Sequence, residues 1–352
     1  MAGATTNGKK PIIAITIGDP AGIGPEVTAG ALAHGKLERV CRPLVIGDAG
    51  ALSRAAKFMG VSLDLRTVNS AAEAKYKLGT VALLDLANVD SAMQIGKVQG
   101  SAGRAAYGYI RRSIELAQAG DVDAVATAPI NKEALHEGGV PYLDHTAMFA
   151  DLTHSPAPMT MFTVGSLRIF FATRHVSLRT AVDQISKDLV LENLVNADAA
   201  LKSYGLRNAR IAVAALNPHN GEAGMFGDTE ERELRPAVEA ARARGINASG
   251  PYPADSVFHM AKNGGADAVM SLFHDQGHIA AKSIDFERTI AITTGLPFVR
   301  SSVDHGTAFD IVGMGKASWV SMAEAVRVGA EYARLFRENG ITATGAGAGP
   351  NR

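Results

Sequence analysis

Short apolar runs alternate along the chain with longer stretches in which apolar residues recur every three or four positions. The runs Pro11–Ile17, Leu44–Ile46, Val81–Leu84, Val122–Ala126, Met161–Thr163, Ile169–Ala172, Ile211–Ala215, Ala268–Phe273 and Thr289–Ile292 are predicted strands. Between several of them, Ala102–Ala119, Leu189–Tyr204 and Glu230–Arg244 read as helices. This alternation predicts an α/β protein with a largely parallel sheet core. Met161–Thr163 and Leu167–Ala172, split by Val164-Gly165-Ser166, read instead as a hairpin in a second lobe. Gly18 to Pro25 reads as a turn opening a helix, since proline suits a first helical turn. Residues 1–10 and 342–352 fall outside this pattern and are expected to be mobile tails.

Composition narrows the class. A length of 352 residues suffices for two compact lobes, and 47% apolar with 20% charged residues is ordinary for a globular protein. Thirty-five basic residues balance 35 acidic ones, so no global field favours nucleic acid or an anionic membrane. Any bound anion must be captured by a local cluster. The single cysteine, Cys41, excludes an internal disulfide and a cysteine-rich metal site. No apolar stretch reaches the ~20 residues of a membrane span, and residues 1–10 hold no apolar signal region, so a cytosolic location is expected.

Four segments place ionisable and turn-forming residues directly after predicted strands, where open α/β sheets bind ligands. Gly18-Asp19-Pro20-Ala21-Gly22-Ile23-Gly24-Pro25-Glu26 lacks the dinucleotide glycine spacing. It fits a tight strand-to-helix connection or a ligand-facing loop at a helix start. His175, His219 and His274 each follow a strand end. Three imidazoles suit a borderline divalent ion, although no close histidine pair exists and spacing leaves strand-end capping equally open. Lys282, Arg288 and Arg300 could serve a phosphate or stand as solvated charge, and Arg300 closes an apolar stretch before Ser301-Ser302. Asp304-His305-Gly306-Thr307-Ala308-Phe309-Asp310 is a tight polar turn bearing two carboxylates.

Gly18–Glu26 and Asp304-His305-Gly306-Thr307-Ala308, with Thr127-Ala128-Pro129-Ile130-Asn131-Lys132, His145-Thr146, Leu216-Asn217-Pro218-His219-Asn220-Gly221-Glu222, Pro253-Ala254-Asp255, His274-Asp275-Gln276-Gly277 and Gly295-Leu296-Pro297-Phe298-Val299-Arg300, make eight ordered motifs from about Ile12 to about Ala330. In that order they resemble the 4-hydroxythreonine-4-phosphate dehydrogenase family of pyridoxal phosphate biosynthesis and its sugar-acid-phosphate relatives. The resemblance implies a two-lobed α/β subunit similar to isocitrate and isopropylmalate dehydrogenases. Residues 11–130 with 301–341 would form the lobe carrying much of the nucleotide site. Residues 131–300 would carry the metal ligands and the interface of a homodimer, with active sites at that interface. It further implies a divalent ion (zinc, cobalt, manganese, nickel or magnesium) on His175, His219 and His274, and phosphate contacts from His145, Thr146, Lys282 and Arg300. Asp255 would stand beside the metal, and with Lys282 it carries the implied catalytic role. NAD or NADP would lie against Gly295, Asp304, His305, Gly306, Thr307, Ala308 and Asp310, which accounts for the absent glycine fingerprint.

The implied reaction oxidises the C3 hydroxyl of a four-carbon phosphorylated acid, with hydride passing to the nicotinamide. The resulting 3-keto acid then loses carbon dioxide, and Asp255 or a water on the metal takes the hydroxyl proton. Two departures bear on the substrate. Asp144-His145-Thr146-Ala147 stands where members commonly read Gly-His-Thr-Glu, and Ala291 where they commonly carry Asn. Losing that amide removes a directed hydrogen bond, worth ~1 kcal/mol net. The wording at His274–Ile279 is similar to the branch that oxidises 4-phospho-D-threonate or 4-phospho-D-erythronate. The alternatives are a dihydrodiol carboxylate dehydrogenase, a lyase or hydrolase using the same metal site without redox chemistry, and a non-catalytic sugar-phosphate sensor.

Overall fold

The computed structural model describes residues 9–339. The tails expected at 1–10 and 342–352 lie outside these residues but for Lys9 and Lys10. The chain forms two compact units, one from residues 9–153 with 297–337 and one from residues 154–296.

The first unit contains β1 (Ile12–Thr16), β2 (Arg42–Gly47), β3 (Asp64–Thr67), β4 (Thr80–Asp85) and β5 (Ala124–Thr127). The second contains β6 (Met159–Val164), β7 (Leu167–Phe171), β8 (Ile211–Ala214), β9 (Ala248–Tyr252), β10 (Ala268–Ser271) and β11 (Ile290–Thr294). The chain then returns to the first unit as β12 (Val299–Ser302). Order in the first unit is β3-β4-β2-β1-β5-β12, with every pair parallel. Its central strands β1, β2 and β5 are apolar and almost wholly buried, as a parallel sheet covered on both faces requires.

Order in the second unit is β11-β6-β7-β10-β8-β9. The expected hairpin is β6–β7, antiparallel from Met161↔Phe170 to Val164↔Leu167. Gly165 adopts φ +57° at the first turn position, where a two-residue II′ turn places glycine. β10 is parallel to β7 and β8, so the carboxyl ends of these strands share one edge.

Three strands escape the alternation rule. β3 reads Asp-Leu-Arg-Thr, an edge strand with mostly exposed side chains, so it lacks a continuous apolar run. β9 is an edge strand carrying Gly250 and Pro251, residues that normally argue against a strand but are tolerated at an edge. β12 is polar in three of its four residues, yet all four are buried beside β5. The expected helix Glu230–Arg244 is also two segments, a π-helical turn over Glu230–Leu234 and an α-helix over Arg235–Ala243.

The first unit extends to Thr153, where 130 was expected, and resumes at Pro297, where 301 was expected. The reason is close packing of the helix Lys132–Glu137 on the long helix Gly100–Gln118. A Cβ on Gly103 would fall inside contact distance of the Ala134 backbone carbonyl, so the two backbones meet where only glycine fits. Among the described residues no helix is long and apolar enough to cross a membrane.

This contact predicts a reversal of helix propensity. Gly→Ala inside a helix ordinarily stabilises by about 1 kcal/mol. At Gly103 the clash is with backbone and should outweigh that gain, leaving Gly103→Ala about 1–3 kcal/mol less stable. Urea unfolding reads this as a lower midpoint at unchanged slope; an equal or higher midpoint would contradict the packing.

Candidate active site

In the first unit, Asp144 caps the helix His145–Leu152, its Oδ1 accepting the Ala147 N–H at 3.0 Å. Ala147, at the position where Glu is common, is exposed and supplies that backbone donor. His145 and Thr146 thereby stand in the first helical turn. Arg300 lies on β12, only 5% exposed, and its Nη2 donates to Thr127 Oγ1 at 2.7 Å. The Arg300 guanidinium also lies 5.3 Å from the Phe149 ring centroid. Burial lowers Arg300 to about 9, partly offset by Asp144, so it stays charged at neutral pH. Burial, reinforced by the Arg300 charge, holds His145 well below the ordinary imidazole value. Its Nε2 is buried without a hydrogen-bond partner. A neutral imidazole with an unused ring nitrogen beside a buried cation is a setting that an anion would complete.

The expected metal ligands all belong to the second unit. His274 opens the helix His274–Ile284, directly past β10, and its Nδ1 lies 2.7 Å from Asp275 Oδ1. A carboxylate accepts, so Nδ1 carries the hydrogen, which leaves Nε2 as the nitrogen a metal would take, the arrangement seen behind metal-ligating histidines. The His175 and His274 ring centroids are 5.9 Å apart. That is within the roughly 6 Å over which two imidazoles can share an ion at M–N bonds of about 2.1 Å. His278 stacks on His274 at 3.6 Å and packs edge-on against Phe162 at 4.2 Å. Lys282 follows on the same helix face, one further step of four residues.

His219 is not gathered with this pair: among the described residues no three metal-binding side chains form a group. It sits in a loop where His219, Asn220, Gly221 and Glu222 have φ of 51°, 58°, 80° and 44°. Consecutive left-handed residues other than glycine cost on the order of 1–3 kcal/mol each and persist only where surroundings impose them. The imposing group is Glu230, fully buried, whose Oε1 accepts Leu216 and Asn217 N–H at 2.9 and 2.8 Å. Its Oε2 accepts Asn217 Nδ2 at 2.9 Å. Sequence reasoning missed Glu230, because a glutamate in a helical stretch reads as solvated charge. Asp255 lies in the first turn of the helix Ala254–Lys262 and lines a cavity of about 350 Å³ with Gln276 and Ile279, which none of the three histidines lines.

The segment Gly18–Glu26 is buried throughout and acts as a clasp. The Thr307 carbonyl accepts the Ile23 N–H at 3.0 Å, and a Cβ on Gly22 would come within 2.8 Å of Thr307 Cβ. Glu26 Oε1 accepts the Gly313 N–H at 2.7 Å, and the Ala21 carbonyl accepts the Gly96 N–H at 2.7 Å. The turn Asp304–Asp310 is therefore fixed from behind, with Asp304, His305, Gly306, Ala308 and Asp310 retaining solvent exposure and Thr307 buried. Gly295 belongs to the second unit, at φ +79°, where a Cβ would press on the Ala157 carbonyl at 2.8 Å. Inside the clasp, Asp19 Oδ1 accepts the Ala21 N–H at 2.8 Å while Oδ2 is buried without a partner, as is Glu26 Oε2. Burial pushes Asp19 up to about 6, against the pull of the Ala21 hydrogen bond.

These groups define an α/β protein whose candidate chemistry, Arg300 on β12 apart, stands on loops and helix starts past strand ends. The chain belongs to the family of the pyridoxal phosphate biosynthetic protein PdxA, whose model matches residues 39–329. A Symbiobacterium thermophilum protein named "Putative D-threonate 4-phosphate dehydrogenase" is 57% identical over 329 residues, 93% of this chain and 98% of that protein. The 4-hydroxythreonine-4-phosphate dehydrogenase structure from Klebsiella pneumoniae is similar at TM-score 0.87 and 41% identity, covering 93% of this chain and 99% of that one. A terephthalate 1,2-cis-dihydrodiol dehydrogenase from Burkholderia xenovorans LB400 is more distant, at TM-score 0.60 and 30% identity over 91% of this chain and 98% of that one.

Asp19 yields a pH signature. Its raised value makes the folded state hold a proton that the unfolded chain releases near 3.8, so its contribution is full below that pH and is lost as pH rises through about 6. Asp19→Asn keeps the acceptor for Ala21 and cannot ionise. Its stability relative to the parent should rise between pH 4 and pH 8, by at most about 3 kcal/mol for roughly two pH units. Parallel stability–pH curves for the two proteins would contradict a buried, protonated Asp19.

Proposed function

We propose that this chain is a divalent-metal-dependent, NAD(P)-linked dehydrogenase of a phosphorylated four-carbon hydroxy acid, with D-threonate 4-phosphate the first candidate and the erythronate epimer and hydroxythreonine phosphate next. The observation that carries this reading is the His145–Arg300 pair, a buried cation beside a neutral imidazole with an unused nitrogen. Its relatives, named as dehydrogenases of phosphorylated hydroxy acids, supply the substrate class.

In this reading Arg300, His145 and Thr146 hold the phosphate. His274 and His175 would hold the ion, and His219, which stands apart from that pair, would have to join them as the third ligand. When bound, the ion would polarise the substrate hydroxyl and the nicotinamide would accept the hydride. Lys282 supplies a cation on the helix face of His274, and Asp255 takes the hydroxyl proton. Asp304–Asp310, held from behind by Glu26 and Ile23, receives the nucleotide. Oxidation at C3 places a keto group β to the carboxylate, so carbon dioxide leaves with its bonding electrons remaining on C2. Ala291 supports the threonate branch: it is 8% exposed in an apolar cluster with Phe162, Phe171 and Ala281, where an amide would find little polar company.

The phosphate role predicts a selective defect. Arg300→Gln should raise KM for the phosphorylated acid by about 10- to 100-fold, the loss of a charge-assisted hydrogen bond, while barely altering the slow turnover of the dephosphorylated acid. Equal losses on both acids would remove Arg300 from phosphate binding. For the metal, elemental analysis should find about one divalent ion per chain in the parent and little in His274→Ala, with turnover lost and the circular dichroism unchanged. A His274→Ala protein that keeps both ion and turnover would refute the ligand set.

A homodimer is part of the same proposal. Leu178 is 61% exposed, Met225 74% and Ile279 65%, large apolar side chains of the second unit that a subunit interface would cover. Light scattering should therefore return about twice the 36.7 kDa chain mass, and a monomer at micromolar concentration would contradict it.

A further inference from the structure

Apart from Arg300 within β12, the groups described above stand past the carboxyl ends of strands, and the first unit has a sizeable cavity at the opposite edge. It measures about 660 Å³ and opens where Lys10 precedes β1, Arg42 begins β2 and Thr80 begins β4. Small-molecule pockets typically span ~300–1,000 Å³. Leu37, Cys41 and Val81, all buried, give it an apolar floor. Lys10, Arg42, Lys75 and Lys77 line it against a single acid, Glu38. In a chain with 35 basic and 35 acidic residues, this excess is local.

Two of the four cations are anchored. Lys10 Nζ donates to the Glu38 carbonyl at 2.7 Å, and Arg42 Nε donates to the Lys10 carbonyl at 2.7 Å. The Arg42 guanidinium lies 5.4 Å from the Tyr76 ring centroid. Tyr76 sits at φ +44°, a backbone that a bulky side chain rarely adopts, with its hydroxyl donating to the Ala71 carbonyl at 3.2 Å. That fixed residue separates Lys75 from Lys77. Cys41 contributes packing rather than reactivity, because burial pushes its thiol up to about 12.

We propose that this cavity binds a small amphiphilic anion, an apolar or aromatic body bearing a phosphate, at a site separate from the carboxyl-edge groups. The floor removes the body from water and the four cations meet the charge. Neither a neutral aromatic nor a bare inorganic anion uses both halves of the lining.

Titration of the full chain with 1-naphthyl phosphate, followed by ligand fluorescence, tests the site. Saturable binding at one site per chain is expected, unchanged by saturating NAD. Lys75→Ala combined with Lys77→Ala should weaken it about tenfold or more, and 1-naphthol and inorganic phosphate should each bind about tenfold more weakly than the ester. Arg66→Ala serves as a control, since Arg66 lines only a neighbouring cavity of about 460 Å³ that shares Lys75 to Lys77, and it should leave affinity unchanged. No saturable binding, displacement by NAD, equal affinity for inorganic phosphate, indifference to the double variant, or loss with Arg66→Ala would overturn the proposal.

Discussion

A parallel sheet covered on both faces leaves little room for polar chemistry along its strands, so the candidate groups, Arg300 within β12 excepted, stand where strands end. In the first unit β1 delivers Gly18–Glu26, β5 ends at Thr127 and delivers Ala128–Asn131, and β12 carries Arg300 within it and delivers Asp304–Asp310. In the second, β7, β8 and β10 lead into His175, His219 and His274. Each loop must then be held without a strand ladder, and buried side chains do that holding. Glu26 secures Gly313, Asn131 caps the following helix through the Ala134 N–H, and Glu230 ties down the His219 loop.

The buried ionisable groups divide by how completely they are satisfied. Glu230 receives three hydrogen bonds across both oxygens and serves as a fixed knot. Asp19 and Glu26 each keep one oxygen without a partner, and burial raises both. His145 is driven neutral by burial beside a guanidinium that stays charged. Such incompletely satisfied groups are costly in a folded protein and gather where a ligand or proton supplies what is missing. The contrast separates Glu230, which is satisfied on both oxygens, from His145, whose buried Nε2 has no hydrogen-bond partner.

Much of this was legible in the sequence where one local rule decides the outcome. The central strands announced themselves as apolar runs, and Gly165 marked its hairpin. β3, β9 and β12 did not, because their strand character comes from a neighbour in the sheet and not from their own residues. The motifs marked Gly18–Glu26, the His219 and His274 segments and Asp304–Asp310 as candidate loops, while His175 stands outside them. They could not show that Gly18–Glu26 faces inward as a clasp, since burial of a glycine-rich turn depends on Thr307 and Gly313, nearly 300 residues later. The histidines were equally balanced between ligand and strand-end roles. The structure pairs His175 with His274 and leaves His219 on a strained loop governed by Glu230, a residue that no local pattern distinguishes.

The reading stands or falls on whether the anion completed by His145 and Arg300 is a substrate phosphate in a redox reaction. The most direct measurement follows absorbance of reduced nicotinamide with NAD, a divalent ion and a panel of acids. The panel comprises D-threonate 4-phosphate, D-erythronate 4-phosphate, 4-hydroxythreonine 4-phosphate, dephosphorylated D-threonate and a dihydrodiol dicarboxylate. Turnover should be fastest with one of the phosphorylated acids, D-threonate 4-phosphate foremost, and nearly absent with its dephosphorylated form. Fastest turnover of the dicarboxylate, equal turnover with and without the phosphate, or no reduction of NAD by any of them would contradict it.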